Sequence, residues 1–274
     1  MGAAAQGHKV RLPGGLQLHY QDVGSGEAVV FIHGSGPGAS GHSNFKHNYP
    51  VFAEAGYRAI VPDLPGYGAS DKPETAIPWI SSSRLCWACS MPGYPALHAG
   101  WQLPGWGHRH RHRPASAATG GALVLMAPGG LMDKAQYYLQ MEGIQRMATA
   151  FASGELRDAA GMKRLLGLQL FDPSLIDDET VAERVAVVAQ QPPCVLSTME
   201  VPNMAERLPE LACPILGFWG MDDKFCPVSG ANTLMQACRH VRFVLLSECG
   251  HWVMVEHRDL FNRDCLAFLE EGRP

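Results

Sequence analysis

Nothing in the 274-residue chain approaches the roughly 18 consecutive apolar residues of a membrane-spanning helix. Charge of one sign is scarce too. The formal net charge is -4, from 22 Lys and Arg against 26 Asp and Glu, which leaves no footprint for nucleic acid or an anionic membrane surface. Met1-Gly2-Ala3-Ala4-Ala5-Gln6 lacks the charged-then-apolar layout of a secretion signal, and Gln6 lacks the hydroxyl of a myristoylation motif. The cysteines lack a pattern. Cys86, Cys89, Cys194, Cys213, Cys226, Cys238, Cys249 and Cys265 are scattered, several within apolar runs, as expected of reduced thiols rather than a disulfide framework. These absences predict a cytoplasmic protein with no nucleic-acid or membrane partner.

What is present is a series of short apolar runs, each followed by a glycine-rich or charged turn. Ala28 to Ile32, Tyr57 to Val61, Ala122 to Met126, Pro214 to Trp219 and Val241 to Leu246 read as strands of a mostly parallel sheet buried on both faces. Leu16 to Tyr20 alternates like a more exposed strand. Tyr49 to Gly56, Ala231 to Arg239 and Arg258 to Glu271 read as helices between or after them. Met132 to Ser153, Leu156 to Leu170 and Thr180 to Gln190 form a helical stretch within the chain, and Met204 to Leu211 leads back to the strands. The predicted class is α/β, with domain boundaries at 1–130 (core), 131–205 (helical insertion) and 206–274 (core again).

Chemistry gathers at the turns. His251 stands on the loop after the run Val241 to Leu246, with Gly250 before it, a placement that suits a general base. Asp223 stands after the preceding run, 28 residues earlier. A carboxylate followed by a histidine at successive strand ends is the order of a hydrolytic triad; the alternative is that Asp223 caps a helix and His251 is a loop histidine with a satisfied ring. The string His33-Gly34-Ser35-Gly36-Pro37-Gly38-Ala39 follows a buried run, and its glycines let backbone N–H groups come close to a ligand, as an oxyanion hole requires. None of these features calls for a cofactor or a metal.

With Ser43-Asn44, Asp63-Leu64-Pro65-Gly66-Tyr67-Gly68, Met126-Ala127-Pro128-Gly129-Gly130-Leu131, Trp219-Gly220-Met221-Asp222-Asp223 and Cys249-Gly250-His251-Trp252, the chain resembles the α/β-hydrolases, and among them the meta-cleavage product hydrolases that split carbon–carbon bonds in ring-opened aromatic compounds. The resemblance runs nearly end to end except over residues 76–119. It implies the α/β-hydrolase fold, a mostly parallel sheet flanked by helices, with 131–205 as a helical lid. It also implies conversion of a dienol substrate to its keto tautomer, then hydrolysis to a 2-hydroxypentadienoate-type acid and a second acid. By position His251 would be the base and Asp223 its orienter. Gly34 and Ser35 would form the oxyanion hole, and Asn44, Arg184, Phe225 and Trp252 would line the substrate site, with the Arg184 guanidinium on the substrate carboxylate. A helix arginine facing solvent is the plainer alternative for Arg184. The family is commonly dimeric or larger. The short span from Arg184 to Trp219 points to a small, monocyclic-derived substrate.

The family's Gly-x-Ser-x-Gly elbow, which presents the serine nucleophile, occurs nowhere in this chain. Where it belongs stand Cys86-Trp87-Ala88-Cys89, Trp101-Gln102-Leu103-Pro104-Gly105-Trp106-Gly107 and His108-Arg109-His110-Arg111-His112-Arg113. Written as codons and read from the second base, Trp101 to Gly107 permits Gly-Asn-Ser-Leu-Gly-Gly-Ala, an elbow with its nucleophile. The same shift lets Pro92 to Gly100 encode Leu-Gly-Ile-Pro-Arg-Cys-Thr-Leu-Val, a strand, and a third-base reading of Ile77 to Met91 permits an amphipathic helix. Three successive single-base losses in the gene would step through these frames and restore the original one near Gly120. As written, the chain is then expected to lack its nucleophile and its central strand, to fold poorly and to be inactive. Two other readings remain: an esterase of the same fold, or a catalytically dead binding protein. Cys86 with Cys89, and His108 with His110 and His112, have metal-like spacing but no partner ligands elsewhere in the chain.

Overall fold

A computed structural model describes residues 7–12, 15–74, 96–99, 121–197 and 203–272. Eight strands form one sheet: β1 (Gly7–Arg11), β2 (Gln17–Gly24), β3 (Ala28–Ile32), β4 (Arg58–Pro62), β5 (Ala96–Ala99), β6 (Leu123–Met126), β7 (Ile215–Gly220) and β8 (Val241–Leu246). Their order across the sheet is β1-β2-β4-β3-β5-β6-β7-β8. β1 and β2 pair antiparallel with each other, β2 pairs antiparallel with β4, and every other pairing is parallel. The apolar runs explain the centre, since β3, β6 and β7 are buried along their whole length.

One expectation is corrected here. The chain as written does not lose the strand at the centre of the sheet. The backbone of Ala96–Ala99 fills that place, with Phe31 opposite Leu97 on one side and Leu97 opposite Val124 on the other. Cys86, Cys89, His108, His110, His112 and the rest of 76–119 apart from Ala96–Ala99 lie outside the described residues.

Helices cover the sheet. On α1 (Gly41–Phe45) and α2 (Tyr49–Glu54), Phe45 and Phe52 set their rings edge-on to Phe31 of β3, with centroids 5.4 and 5.1 Å away. The long closing helix, Arg258–Glu271, begins and ends where its apolar spacing predicts and packs Phe261 against Phe218 of β7. Between β6 and β7 the chain makes α3 (Lys134–Gln140), α4 (Glu142–Ser153), α5 (Ala159–Gly167), α6 (Asp178–Val188) and α7 (Cys194–Ser197). It leaves and re-enters the core at one point, where the Met204 N–H donates to the Gly130 carbonyl at 2.7 Å.

The periodic stretch Met132 to Ser153 is not one helix. Met141 is extended at φ -108, ψ 107 and divides α3 from α4. The break brings Gly143 against the loop after β7: its N–H donates to the Lys224 carbonyl at 2.8 Å, and a Cβ there would meet the Phe225 ring at 2.6 Å.

Candidate active site

The turns that carry the chemistry all leave the carboxyl ends of parallel strands, where open α/β sheets bind ligands: 33–38 after β3, 63–70 after β4, 221–226 after β7 and 247–252 after β8. Asp223 and His251 meet. His251 Nδ1 lies 2.8 Å from Asp223 Oδ2, with the aspartate side chain 1% exposed. The other carboxylate oxygen accepts the N–H groups of Phe225 at 2.7 Å and Cys226 at 2.9 Å. Asp223 caps no helix: the next one starts at Ser229, and the aspartate closes its own turn while also bonding the histidine. An acceptor-only carboxylate at Nδ1 puts the ring proton there and leaves Nε2 as the basic nitrogen. Burial disfavours the imidazolium, but the Asp223 carboxylate, with Cys226 adding to it, outweighs burial and holds the His251 pKa well above 6.5.

The histidine loop is tightly specified. Glu248 adopts the left-handed conformation at φ 51, and a Cβ on Gly250 would stand 2.5 Å from the Gln169 carbonyl oxygen. That carbonyl accepts the N–H of His251 at 2.7 Å and of Trp252 at 3.1 Å, so the end of α5 is bonded directly to the loop. Glu256 braces the same junction, accepting from Gly250 N–H at 2.6 Å through one oxygen and from Phe171 and Asp172 N–H through the other.

Phe225, Trp252, Arg184 and Asn44 follow outward from this pair by contact. Phe225 sets its ring centroid 5.5 Å from that of His251. Arg184, on α6, is buried and stacks over Trp252, its guanidinium carbon 5.0 Å from the ring centroid. Its Nη1 donates to the Pro37 carbonyl at 3.2 Å and its Nη2 to Asn44 Oδ1. Arg184 is thus not a solvated helix arginine. No carboxylate among the described residues forms an ion pair with it, and its buried Nε has no hydrogen-bond partner among them. Burial lowers its pKa to about 10, partly offset by Glu183, so it stays charged at neutral pH.

The glycine string is held from below. His33 is fully buried; its Nδ1 lies 2.7 Å from the Gly34 carbonyl and its Nε2 accepts the Leu64 N–H at 3.0 Å. That accepting nitrogen requires a neutral ring, and burial lowers the His33 pKa to about 4. The Tyr67 hydroxyl donates to the Ser35 carbonyl at 2.8 Å. Asp63 gathers the turn around itself, accepting from Gly41 and Ala69 N–H, each at 2.8 Å, and pairing with His19 Nδ1 at 2.8 Å.

Sequence reasoning did not single out Tyr137, whose hydroxyl contacts Cys226 Sγ, nor the place of Cys226 beside the pair. Donor atoms of Asp223, Cys226 and His251 lie within 4.8 Å of one another, the one such trio among the described residues. Both Asp223 oxygens already accept hydrogen bonds, so the arrangement reads first as an oriented base. Only the tertiary fold brings these side chains together, and no local spacing reports them.

The alpha/beta hydrolase family model matches residues 29–264. A 2-hydroxy-6-oxononadienedioate/2-hydroxy-6-oxononatrienedioate hydrolase of Comamonas testosteroni is 34% identical, over 94% of this chain and 92% of its own. A 2-hydroxy-6-oxo-6-phenylhexa-2,4-dienoate hydrolase of Burkholderia cepacia is also 34% identical, over the same shares. A solved meta-cleavage product hydrolase of Pseudomonas fluorescens IP01, a serine-to-alanine mutant complexed with acetates, is similar with a TM-score of 0.74 at 25% identity, covering 94% of this chain and 96% of that one.

Proposed function

The chain belongs to the alpha/beta hydrolase family, and from that premise we propose that it hydrolyses a carbon–carbon bond in a ring-opened aromatic compound of the 2-hydroxy-6-oxohexa-2,4-dienoate type. The observation that carries this reading is Arg184, a buried guanidinium with no ion-pair partner among the described residues, stacked on the tryptophan next to His251. An uncompensated buried charge is unfavourable unless a ligand completes it, and a dienoate brings a carboxylate. A simple ester would leave the guanidinium with only the neutral oxygens of Pro37 and Asn44 as hydrogen-bond partners. The named relatives act on dienoates that carry such a group.

On this reading the substrate carboxylate sits on Arg184 beside Asn44, with Phe225 and Trp252 against the dienoate chain. His251 Nε2 takes the proton from the attacking hydroxyl as the new C–O bond forms at the ketone carbon. Asp223 holds the ring and the imidazolium that results. Backbone N–H groups at Gly34 and Ser35 receive the oxyanion. Collapse breaks the C–C bond, the dienol fragment leaves with the returned proton, and one water is consumed over the cycle to give two acids. Residues 131–205 close over the site as a lid, a reading supported by the one place where the chain leaves and re-enters the sheet and by the bonds from Gln169 to the histidine loop. The protein works in the cytoplasm as a homodimer or larger assembly; among the described residues no helix is long and apolar enough to cross a membrane.

The nucleophile is the serine of the elbow that the shifted frame permits over Trp101 to Gly107. The test is to sequence the gene across the codons for Glu74 to Leu123 and then follow loss of dienolate absorbance. Three extra bases that create Gly-Asn-Ser-Leu-Gly-Gly, with turnover of the ring-fission product far faster than of p-nitrophenyl esters, is the expected result. Turnover by the chain as written would overturn the serine assignment. An unchanged gene with no turnover would leave a dead binding protein.

A further inference from the structure

The glycine string needs a fixed height above the attacked carbon if its N–H groups are to stabilise charge there. His33 and Tyr67 hold the Gly34–Ser35 end from within the core. The Gly38 end is held by a residue from outside it. Gln191, buried just past the end of α6, accepts the Gly38 N–H at its Oε1 and donates from Nε2 to the Gly66 carbonyl, each at 2.9 Å. One planar amide therefore bridges the turns after β3 and β4. Only one orientation serves both partners, because Gly38 offers a donor and Gly66 an acceptor.

The same contact joins the string to the arginine helix. Gly38 has φ +69, and a Cβ on it would lie 2.2 Å from the Arg184 carbonyl oxygen, so loop and helix touch backbone to backbone. Gln191 N–H in turn bonds the Val188 carbonyl at the last residue of α6. We propose that Gln191 is a positioning residue: it fixes the oxyanion loop to the Gly66 turn and to α6, so that carboxylate recognition at Arg184 and oxyanion stabilisation share one rigid frame. This rests on the reaction proposed above.

Two variants separate its two bonds. Gln191→Met removes both, whereas Gln191→Glu keeps the acceptor for Gly38 and loses the donor to Gly66. In the full chain as written, Gln191→Met is expected to speed exchange of the Gly38 amide by about tenfold while β7 amides keep their rates; in Gln191→Glu the Gly38 amide stays protected within about twofold. With the elbow codons restored, Gln191→Met is expected to lower kcat about tenfold with KM within about twofold, because the arginine site is untouched. Unchanged Gly38 exchange overturns the proposal, as does equal acceleration throughout the sheet or an effect confined to KM. If Gln191→Met does not fold, the same Gly38 measurement on Gln191→Glu decides, with fast exchange there counting against. Absence of any turnover in the restored parent would sink the reaction assignment, while the exchange data still decide the bridge.

Discussion

Two histidines, His33 buried and His251 half-buried, respond to pH in opposite senses, and both responses follow from their immediate surroundings. His33 must stay neutral to accept the Leu64 N–H, and burial holds its pKa at about 4. The unfolded chain binds a proton near pH 6.5 and the folded chain does not, so His33 contributes stability that is complete above 6.5 and is lost as pH falls toward 4. The gap corresponds to roughly 3 kcal/mol. Urea unfolding at pH 7 and pH 4.5 is expected to reveal that loss, and its slope with pH is expected to flatten in His33→Gln; an unchanged slope would contradict the assignment. His251 is the reverse case. Its folded pKa is raised, so its contribution is present below 6.5 and fades as pH rises through the folded value. A base must be neutral to act, which places the acid limb of kcat/KM above pH 6.5. In Asp223→Asn the carboxylate that outweighs burial is gone, and the His251 titration followed by NMR is expected to move down. A titration left in place would remove Asp223 as its cause.

Besides the Arg184–Asn44 bond, the helix that carries Arg184 is fastened to the end of the helix that carries Asn44 through Lys46. Its ammonium lies 2.9 Å from Glu179 and 3.5 Å from both Asp177 and Glu183, with the lysine side chain only 8% exposed. Burial opposes its charge, but the three carboxylates together raise its pKa. Lys46→Met would leave those acids facing one another at the mouth of the arginine site. Glu179 is 74% exposed and Asp177 46%, so screening limits the loss to about 1 kcal/mol at low salt. Denaturation at low and high salt checks this, and a salt-independent loss would mean packing rather than charge. Such tertiary fastenings were not legible in the sequence. The elements they join were, wherever burial writes itself as an apolar run, as in β3, β6 and β7, or as a sustained helical period, as in Arg258–Glu271. β8 is a strand but only half-buried, with Arg242 and Leu245 exposed, not covered on both faces as its apolar run predicts. The break at Met141 escaped because its cause is a contact with Lys224 and Phe225, far along the chain. Asp223 and His251 could be picked out because chain order and family resemblance both pointed to them, and Arg184 and Trp252 because the family resemblance did. Gln191 could not, since a glutamine in the run Gln190-Gln191-Pro192-Pro193 has no local signature of a bridge.

At the scale of the molecule everything turns on the middle of the sheet. β5 pairs on both sides, yet its sequence is Ala96-Leu97-His98-Ala99, between neighbours that read Ala-Val-Val-Phe-Ile and Leu-Val-Leu-Met. A parallel strand in the middle of a sheet normally carries large aliphatic side chains, and two alanines and a histidine offer little apolar surface of that kind. The shifted frame permits Cys-Thr-Leu-Val at Leu97 to Gly100, placing a leucine at Ala99 and a valine at Gly100. Each large aliphatic side chain buried in full is worth about 1.5–3 kcal/mol. Because the same frame exchanges Leu97 for cysteine, the net gain is about one large aliphatic side chain, and the chain with the restored frame is therefore expected to unfold at a higher urea midpoint, by about 1.5–3 kcal/mol from this strand, with a steeper transition as more surface is buried. Measured side by side, equal midpoints and slopes would mean that Ala96–Ala99 closes the sheet as well as any alternative. The stretch 76–119 would then be the protein's own sequence, and the search for a nucleophile would have to begin again within it.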